Sequence, residues 1–398
     1  MQEKGKNIYI IMGILIVLIA IAFARLSYGM ILPFMKEGLS ISYQSAGALG
    51  TITSLGYLVT IMMAGYLSTK WGFKKTILFG MLLISIGFLN LSFAGTFWYS
   101  AVFMFLLGVG TAFVFTPLIS LMIEWFPDKR GFVIGCVNSS GGIGLLFVGM
   151  LVPFLAEMYP ETAWRLTWLI FCLMSALVTV LTVFYIKNPP AKKKEMQPPS
   201  SPPMTIYKNR NVIIVGIIYG ISGLTMIVHS TFINSFMLDS GLNEQLAGQL
   251  ISISGILYIF SSPIWGAISD RVGRKNALIY SMGLNAVSLV IPVMFSNTLG
   301  FAISLVIQGA VAVGILTLIQ ALSTEQVPSQ DTPIAFSYVT FYYATGQLIG
   351  PMLSGFMIDF SGFKSAFLSL TISMALGFYL AFTLSSEKKV ENKAIVNE

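Results

Sequence analysis

Long apolar runs separated by short polar turns fill almost the whole chain. Twelve of them lie near residues 8–35, 44–69, 76–95, 98–124, 131–156, 164–186, 211–237, 244–268, 276–296, 298–324, 333–358 and 364–385. Each is long enough to cross a hydrocarbon core of about 30 Å as a helix rising about 1.5 Å per residue. The first run is too long for a removable leader and lacks a small-residue cleavage site, so it is expected to stay in the mature protein. One stretch breaks the alternation. Residues 187–210, KNPPAKKKEMQPPSSPPMTIYKNR, are rich in Pro, Lys and Ser and cannot bury a core, which marks a linker. It divides the chain into an N-terminal half (1–186) and a C-terminal half with a short tail (211–398), each with six apolar runs.

The halves repeat one another. Gly65-Tyr66-Leu67-Ser68-Thr69-Lys70-Trp71-Gly72-Phe73-Lys74-Lys75 returns 201 positions later as Gly266-Ala267-Ile268-Ser269-Asp270-Arg271-Val272-Gly273-Arg274-Lys275-Asn276. The same offset relates Ala46 and Gly47 to Ala247 and Gly248, Gly108 to Gly309, Glu124 to Glu325, and Pro127 to Pro328. Two copies of one multi-helix unit explain this, and many membrane carriers are built from such repeats.

Composition narrows the class. With 56% apolar and 10% charged residues and a mean hydropathy of +0.82, a polytopic membrane protein is the class that fits. The cations then orient it. With a cytoplasmic N-terminus, nineteen Lys and Arg fall on the inner side, among them Lys4, Lys6, Lys192, Lys193, Lys194, Lys388, Lys389 and Lys393. Only Lys36, Arg165 and Lys364 fall outside, and Arg25 is left within the membrane. Both termini are therefore expected in the cytoplasm, with the protein in the plasma membrane. The net charge of +7 is an inner-leaflet feature that attracts anionic lipid heads. No basic stripe interleaved with aromatics points to nucleic acid. All six Trp (71, 98, 125, 164, 168, 265) fall near expected helix ends, as an interfacial belt requires. Cys136 and Cys172 sit alone in apolar runs and are expected to pack. Neither a phosphate-binding loop nor a dinucleotide fingerprint occurs, so no cofactor is expected and energy must come from a gradient.

The paired basic turns, the six-plus-six pattern and the basic central linker resemble the major facilitator superfamily of secondary transporters. The resemblance implies an all-α membrane protein of twelve transmembrane helices in two pseudo-symmetric six-helix bundles, working by alternating access as a monomer. The second basic turn matches the family pattern fully, whereas the first has Thr69 at the usual Asp position. Glu124-Trp125-Phe126-Pro127-Asp128-Lys129-Arg130-Gly131 resembles the family's loop after its fourth helix. Gly346, Gly350, Pro351 and Gly355 resemble its glycine-rich eleventh helix.

Physically, Gly65 and Gly266 are expected to permit close helix approach, and Gly72 and Gly273 to supply positive φ at tight reversals. Asp270 can accept hydrogen bonds at a helix N-terminus and pair with cations. Glu124, Arg130 and Glu325 are spaced to join such clusters with Lys70 and Arg271. The resemblance implies a cytoplasmic latch, and Thr69 implies that it is weaker in the first half.

Arg25 is the costliest residue in the chain. It lies roughly 25 Å from Ile8 and about 15 Å from Met35 along a helix rising about 1.5 Å per residue, near the bilayer midplane. There an Arg costs at least about 2.5–3.5 kcal/mol and should face the bundle or an aqueous cavity. None of the sixteen acids lies deep in a run, so an anionic substrate is the simplest partner. An interhelical bond to backbone or hydroxyls, or snorkelling, are the alternatives. Tyr28 is one turn on and shares its face. His229, the only His, stands at nearly the equivalent place in the seventh run. It is suited either to carry a coupling proton or to bond a neighbour. Asn138, Tyr219, Tyr338, Tyr342 and Gln347 complete the expected substrate site. Thr111, Thr116, Ser139, Thr225, Tyr258, Gln308, Gln320, Thr340 and Tyr343 are further polar candidates, several of them expected to be interhelical glue.

These residues favour a secondary transporter of a small organic anion such as a monocarboxylate, by proton symport or exchange. The stretch Phe23 to Pro33 is loosely similar to monocarboxylate and oxalate–formate carriers, although the eighth run lacks the further Arg that those carriers often keep. The alternative is a proton-driven multidrug or metabolite exporter. Against it, Met104 stands where such exporters usually have Arg, and Ser140-Gly141 where they have Gly-Pro. One His, two separate Cys and no buried carboxylate leave no catalytic constellation, so an enzyme is not expected.

Overall fold

The computed structural model describes residues 3–127, 129–189, 203–328 and 331–384. The linker lysines Lys192, Lys193 and Lys194, the tail lysines Lys388, Lys389 and Lys393, and the side chains of Lys4, Lys6 and Arg130 lie outside that description. In chain order the helices are α1 (Glu3–Val17), a π-helical segment (Leu18–Leu26), α2 (Tyr28–Leu39), α3 (Tyr43–Trp71), α4 (Phe73–Ser92), α5 (Phe97–Trp125), α6 (Arg130–Asn138), α7 (Ser140–Met158), α8 (Ala163–Tyr185), α9 (Pro203–Tyr207), α10 (Arg210–Asp239), α11 (Glu244–Val272), α12 (Arg274–Met294), α13 (Thr298–Glu325) and α14 (Thr332–Thr383). Eleven continuous stretches are long and apolar enough to cross a membrane. The last of these, Ile334–Thr383, is two spans joined at Gly362, whose φ of 80° and ψ of 172° break the helix. Eleven stretches thus accommodate the twelve expected spans.

The repeat is visible in the caps. Ser42 and Thr96 cap α3 and α5 by accepting from Ser45 N–H (3.2 Å) and Tyr99 N–H (3.3 Å). Their counterparts 201 positions on, Asn243 and Asn297, accept from Leu246 N–H (2.8 Å) and Gly300 N–H (2.9 Å). Each side-chain oxygen satisfies a donor that the helix cannot. At the opposite ends, Gly72 (φ 82°) and Gly273 (φ 85°) turn the chain sharply from α3 into α4 and from α11 into α12.

Close packing repeats too. A Cβ on Gly47 of α3 would stand 2.2 Å from the Pro351 carbonyl oxygen of α14. One on Gly248 of α11 would stand 2.2 Å from the Gly149 oxygen of α7. Gly29 approaches the Ser230 oxygen still more closely, at 1.8 Å by the same construction. These backbone contacts seal the two halves together at one end. Side chains reinforce the seal symmetrically. The Asp359 carboxylate of α14 accepts from the backbone N–H groups of Tyr43 (3.0 Å) and Gln44 (2.8 Å), the first residues of α3. Glu157 of α7, displaced 202 positions, accepts from Gln245 Nε2 of α11 at 2.5 Å.

The other end differs. A Cβ on Gly65, Gly131, Gly135 or Gly266 would meet nothing within 4 Å. No backbone contact of the kind made by Gly47, Gly248 and Gly29 is found at these glycines, so the end bearing the basic turns lacks that seal. The expected close approach at Gly65 and Gly266 is not found: a Cβ at either would stand in open space. The tryptophan belt also needs correction. Trp164, Trp168 and Trp265 are buried, with the Trp265 indole N–H bonded to the Ala310 carbonyl at 2.9 Å, while Trp71 and Trp98 are exposed.

The seal predicts one outcome directly. Asp359→Ala removes two bonds to a helix N-terminus; exposed charge-assisted bonds of this kind contribute about 1 kcal/mol, near the low end of their range. Opening of the sealed end should therefore rise about fivefold. A thiol at Ser230→Cys, in a background with Cys136 and Cys172 changed to Ser, would report this as faster modification from the sealed side. An unchanged labelling rate would show that the carboxylate does not hold this end.

Candidate functional site

Arg25 occupies the π-helical segment of the first span. There Ser27 N–H bonds the Ala22 carbonyl five residues back (2.8 Å), and the Ser27 hydroxyl bonds the Phe23 carbonyl (2.5 Å). Widening a helix in this way leaves carbonyls to be satisfied from outside, and π segments recur at functional sites. Thr111 of α5 donates to the Ala20 carbonyl at 2.9 Å. Phe23 stacks on Phe171 at 4.2 Å and fixes the segment from behind.

The guanidinium is thereby presented between the halves. Arg25 Nη2 donates to Gln347 Oε1 of α14 (2.9 Å) and to Ser54 Oγ of α3 (3.4 Å), and the group lies over the Tyr57 ring at 5.0 Å. Gln347 Nε2 donates onward to the Tyr343 hydroxyl (2.9 Å), which donates to Met226 Sδ (3.7 Å). Tyr343 stacks on Tyr219 of α10 at 4.4 Å, and the Tyr219 hydroxyl accepts from Gln320 Nε2 of α13 (2.8 Å). One polar ladder thus joins five helical elements. It contains no carboxylate. Among the described residues the single salt bridge is Arg274–Glu325, and Nη1 and Nε of Arg25 have no acceptor.

The structure brings Arg25, Gln347 and Tyr219 together and leaves other expected site residues elsewhere. The Tyr28 hydroxyl is buried and donates to the Ala46 carbonyl (2.8 Å), so it ties the first span to α3 instead of joining Arg25. Tyr338 and Tyr342 pair through their hydroxyls at 2.8 Å, and Tyr338 also lies 4.8 Å from Tyr207, towards the open end. Asn138 ends α6, half-buried. His229 is 5% exposed, and its Nε2 has no hydrogen-bond partner. The bond to a neighbour foreseen as its alternative role is absent among the described residues. Two residues missing from the sequence expectation are Ser54 and Tyr57; their only signal is their spacing, three apart on one face of α3.

The latch residues also differ from expectation. Asp270 is exposed and has no partner among the described residues, and Arg271 and Glu124 are likewise exposed. Thr69 bonds the Tyr66 carbonyl (2.7 Å), and Lys70 lies 4.7 Å over the Tyr66 ring. Glu325 pairs with Arg274 at 2.6 Å, within the second half. The charge that works alike in both copies is a lysine. Lys74 Nζ bonds the Val183 carbonyl near the end of α8 (2.5 Å), and Lys275 Nζ bonds the Phe382 carbonyl near the end of α14 (2.9 Å). Each neutralises the negative end of a helix dipole. Among the described residues no ion pair bridges the halves at this end.

A family model described as "Uncharacterised MFS-type transporter YbfB" matches residues 17–384. The chain belongs to this MFS-type family. It is a carrier, not an enzyme. Among curated proteins it is 24% identical to a hexuronate transporter of Bacillus subtilis over 84% of each chain. It is 23% identical to the multidrug resistance protein MdtG of Proteus mirabilis, over 85% of this chain and 87% of that protein. To human monocarboxylate transporter 12 it is 25% identical, over 75% of this chain and 64% of that one. Two solved structures share the fold at 13% identity. A point mutant of the nucleoside transporter NupG superposes with a TM-score of 0.79, covering 94% of this transporter and 99% of NupG. A bacterial homologue of the human lysosomal transporter Spinster, inward-facing and unoccupied, gives 0.76, covering 96% and 98%. The transporter is thus an MFS-fold secondary carrier of small molecules.

Proposed function

We propose that the transporter is a gradient-driven exporter of metabolites or drug-like molecules, and that Arg25 makes those bearing an anionic group its preferred cargo. Support for export comes from the relatives, among which multidrug resistance proteins of Proteus mirabilis, Rahnella, Salmonella typhimurium and Escherichia coli recur. The anionic preference rests on one observation. Arg25 is held between the halves by neutral acceptors alone, with two of its three nitrogens unused. A guanidinium with free N–H donors in a low-dielectric setting binds carboxylate strongly and bidentately. With the basic turns in the cytoplasm, as the cation bias implies, the end without the glycine seal is the inner one. The carrier is then an inward-open monomer, anchored by its basic inner face to anionic lipid heads in the plasma membrane, with both termini in the cytoplasm.

Uptake of a monocarboxylate by proton symport is the second possibility, favoured by the hexuronate and monocarboxylate transporters among the relatives. Proteoliposomes separate the two. Radiolabelled lactate, pyruvate, formate and larger organic acids, alongside a cationic dye, are presented at the face bearing the basic turns under an imposed pH gradient. Export predicts that anions are carried away from that face against the inward proton gradient. Movement towards that face together with protons would replace export with symport. Transport of the cationic dye but of no anion would remove Arg25 from cargo selection.

A further inference from the structure

Beyond the Arg25 ladder, towards the sealed end, lies a small chamber. Its volume is about 50 Å³ and it is lined from both halves, by Leu26, Met30 and Leu145 on one side and by residues of α10, α11 and α13 on the other. Two residues connect it to the ladder. Leu26 directly follows Arg25, and Met226, which receives the Tyr343 hydroxyl, forms part of the chamber wall. No Asp, Glu, Lys or Arg lines it.

Its polar groups stand out because several lack a partner among the described residues, one of them fully buried. The His229 imidazole makes no hydrogen bond among the described residues, and its Nε2 is fully buried. The Gln308 amide has its oxygen engaged by Asn285 Nδ2 (3.1 Å) and Ser288 Oγ (2.9 Å), and its other end has no partner among the described residues. Tyr258 and Ser254 contribute hydroxyls that likewise have no partner among the described residues. A fully buried donor or acceptor left unpaired is costly, so His229 Nε2, beside the unbonded polar ends of Gln308, Tyr258 and Ser254, marks a recognition surface rather than a packing accident. The remaining lining, including Ile233, Ile251 and Leu305, is apolar.

We infer that this chamber is a second binding subsite, for the uncharged hydroxyl- or carbonyl-bearing end of the cargo whose anionic group Arg25 holds. The space admits about three to five water-sized groups at about 10–15 Å³ each. The implied cargo class is the short-chain hydroxy- or oxo-carboxylates. His229 acts there as a neutral hydrogen-bonding residue that sets specificity, and Gln308 presents a further polar group. This inference rests on the anionic preference assigned to Arg25, and the test separates the two.

The experiment measures binding to the purified full-length protein in detergent. The probes are the ω-hydroxy acids from 3-hydroxypropionate to 6-hydroxyhexanoate, each against the unsubstituted acid of equal length. The wild type should prefer one hydroxy acid by at least about tenfold, since a buried polar site discriminates strongly against an analogue lacking its partner. His229→Leu should bring that ratio to about one without lowering the thermal midpoint, because it removes an unpaired buried imidazole. His229→Gln, which keeps a donor and an acceptor, should restore part of the preference. Arg25→Gln should weaken both acids of a pair equally. An unchanged hydroxyl preference in His229→Leu, or none in the wild type, overturns the subsite. Should His229→Leu erase the preference while Arg25→Gln leaves affinity intact, the chamber stands and the role of Arg25 falls. If neither acid binds the wild type, both fall.

Discussion

Arg25→Gln yields a folded carrier whose affinity for anionic cargo drops about 30-fold or more. Truncating one partner of a buried, hydrogen-bonded charge pair costs about 2–5 kcal/mol, and about 1.4 kcal/mol is tenfold in affinity. Stability should move little. The guanidinium is buried at a cost and repaid by only two neutral acceptors, Gln347 at 2.9 Å and Ser54 at 3.4 Å, and a glutamine amide can donate to either. Arg25→Lys should not rescue binding. A single ammonium cannot hold Gln347, lie over the Tyr57 ring and still offer a bidentate fork to a carboxylate. Titration of a radiolabelled organic acid, with thermal unfolding in detergent as the folding control, checks all three statements. Equal affinities in Arg25→Gln and wild type would sink the assignment.

The second large effect is steric. Gly47→Val and Gly248→Val should each abolish transport while leaving the protein inserted and folded. In both cases a Cβ would lie 2.2 Å from a backbone carbonyl oxygen, of Pro351 and Gly149 respectively. Backbone held in a helix cannot step aside as a side-chain tip can, so the sealed end must stay ajar. Gly65→Val is the control, since nothing lies within 4 Å of its Cβ position and the seal should remain intact. The readouts are transport in proteoliposomes and thiol accessibility of Ser230→Cys from the sealed side. A Gly47→Val protein that transports at the wild-type rate would mean that this face never closes during the cycle.

Much of the fold is legible in the residues taken in order. The twelve apolar runs, the tight turns at Gly72 and Gly273, and the exceptional position of Arg25 follow from hydrophobicity, glycine conformation and the cost of a midplane cation. The site is legible only in part. Arg25 and Gln347 could each be singled out by type and depth, but nothing in a sequence says that residues 322 apart share a hydrogen bond. Tyr28 illustrates the limit. Helical spacing puts it on the face of Arg25, yet the π-helical segment changes the local periodicity and turns the Tyr28 hydroxyl to the Ala46 carbonyl. The basic turns show another limit. Asp270 has no partner among the described residues, whereas the matched Lys74 and Lys275 bond the carbonyl ends of α8 and α14 alike, a pairing that no local pattern reveals.

The sequence by itself determined the class, the number of spans and the internal repeat, because these depend on short-range quantities: apolar length, turn chemistry and the offset between two copies. It also marked one cation as too costly to be idle. Only the tertiary structure decided what that cation meets, which end is sealed, and where unpaired polar groups gather around His229. Those outcomes depend on the distance between helices remote in sequence. Backbone contacts at Gly47, Gly248 and Gly29 set that distance at one end, and no such contact is made at Gly65 and Gly266 towards the other. Periodicity along one chain carries no information about either.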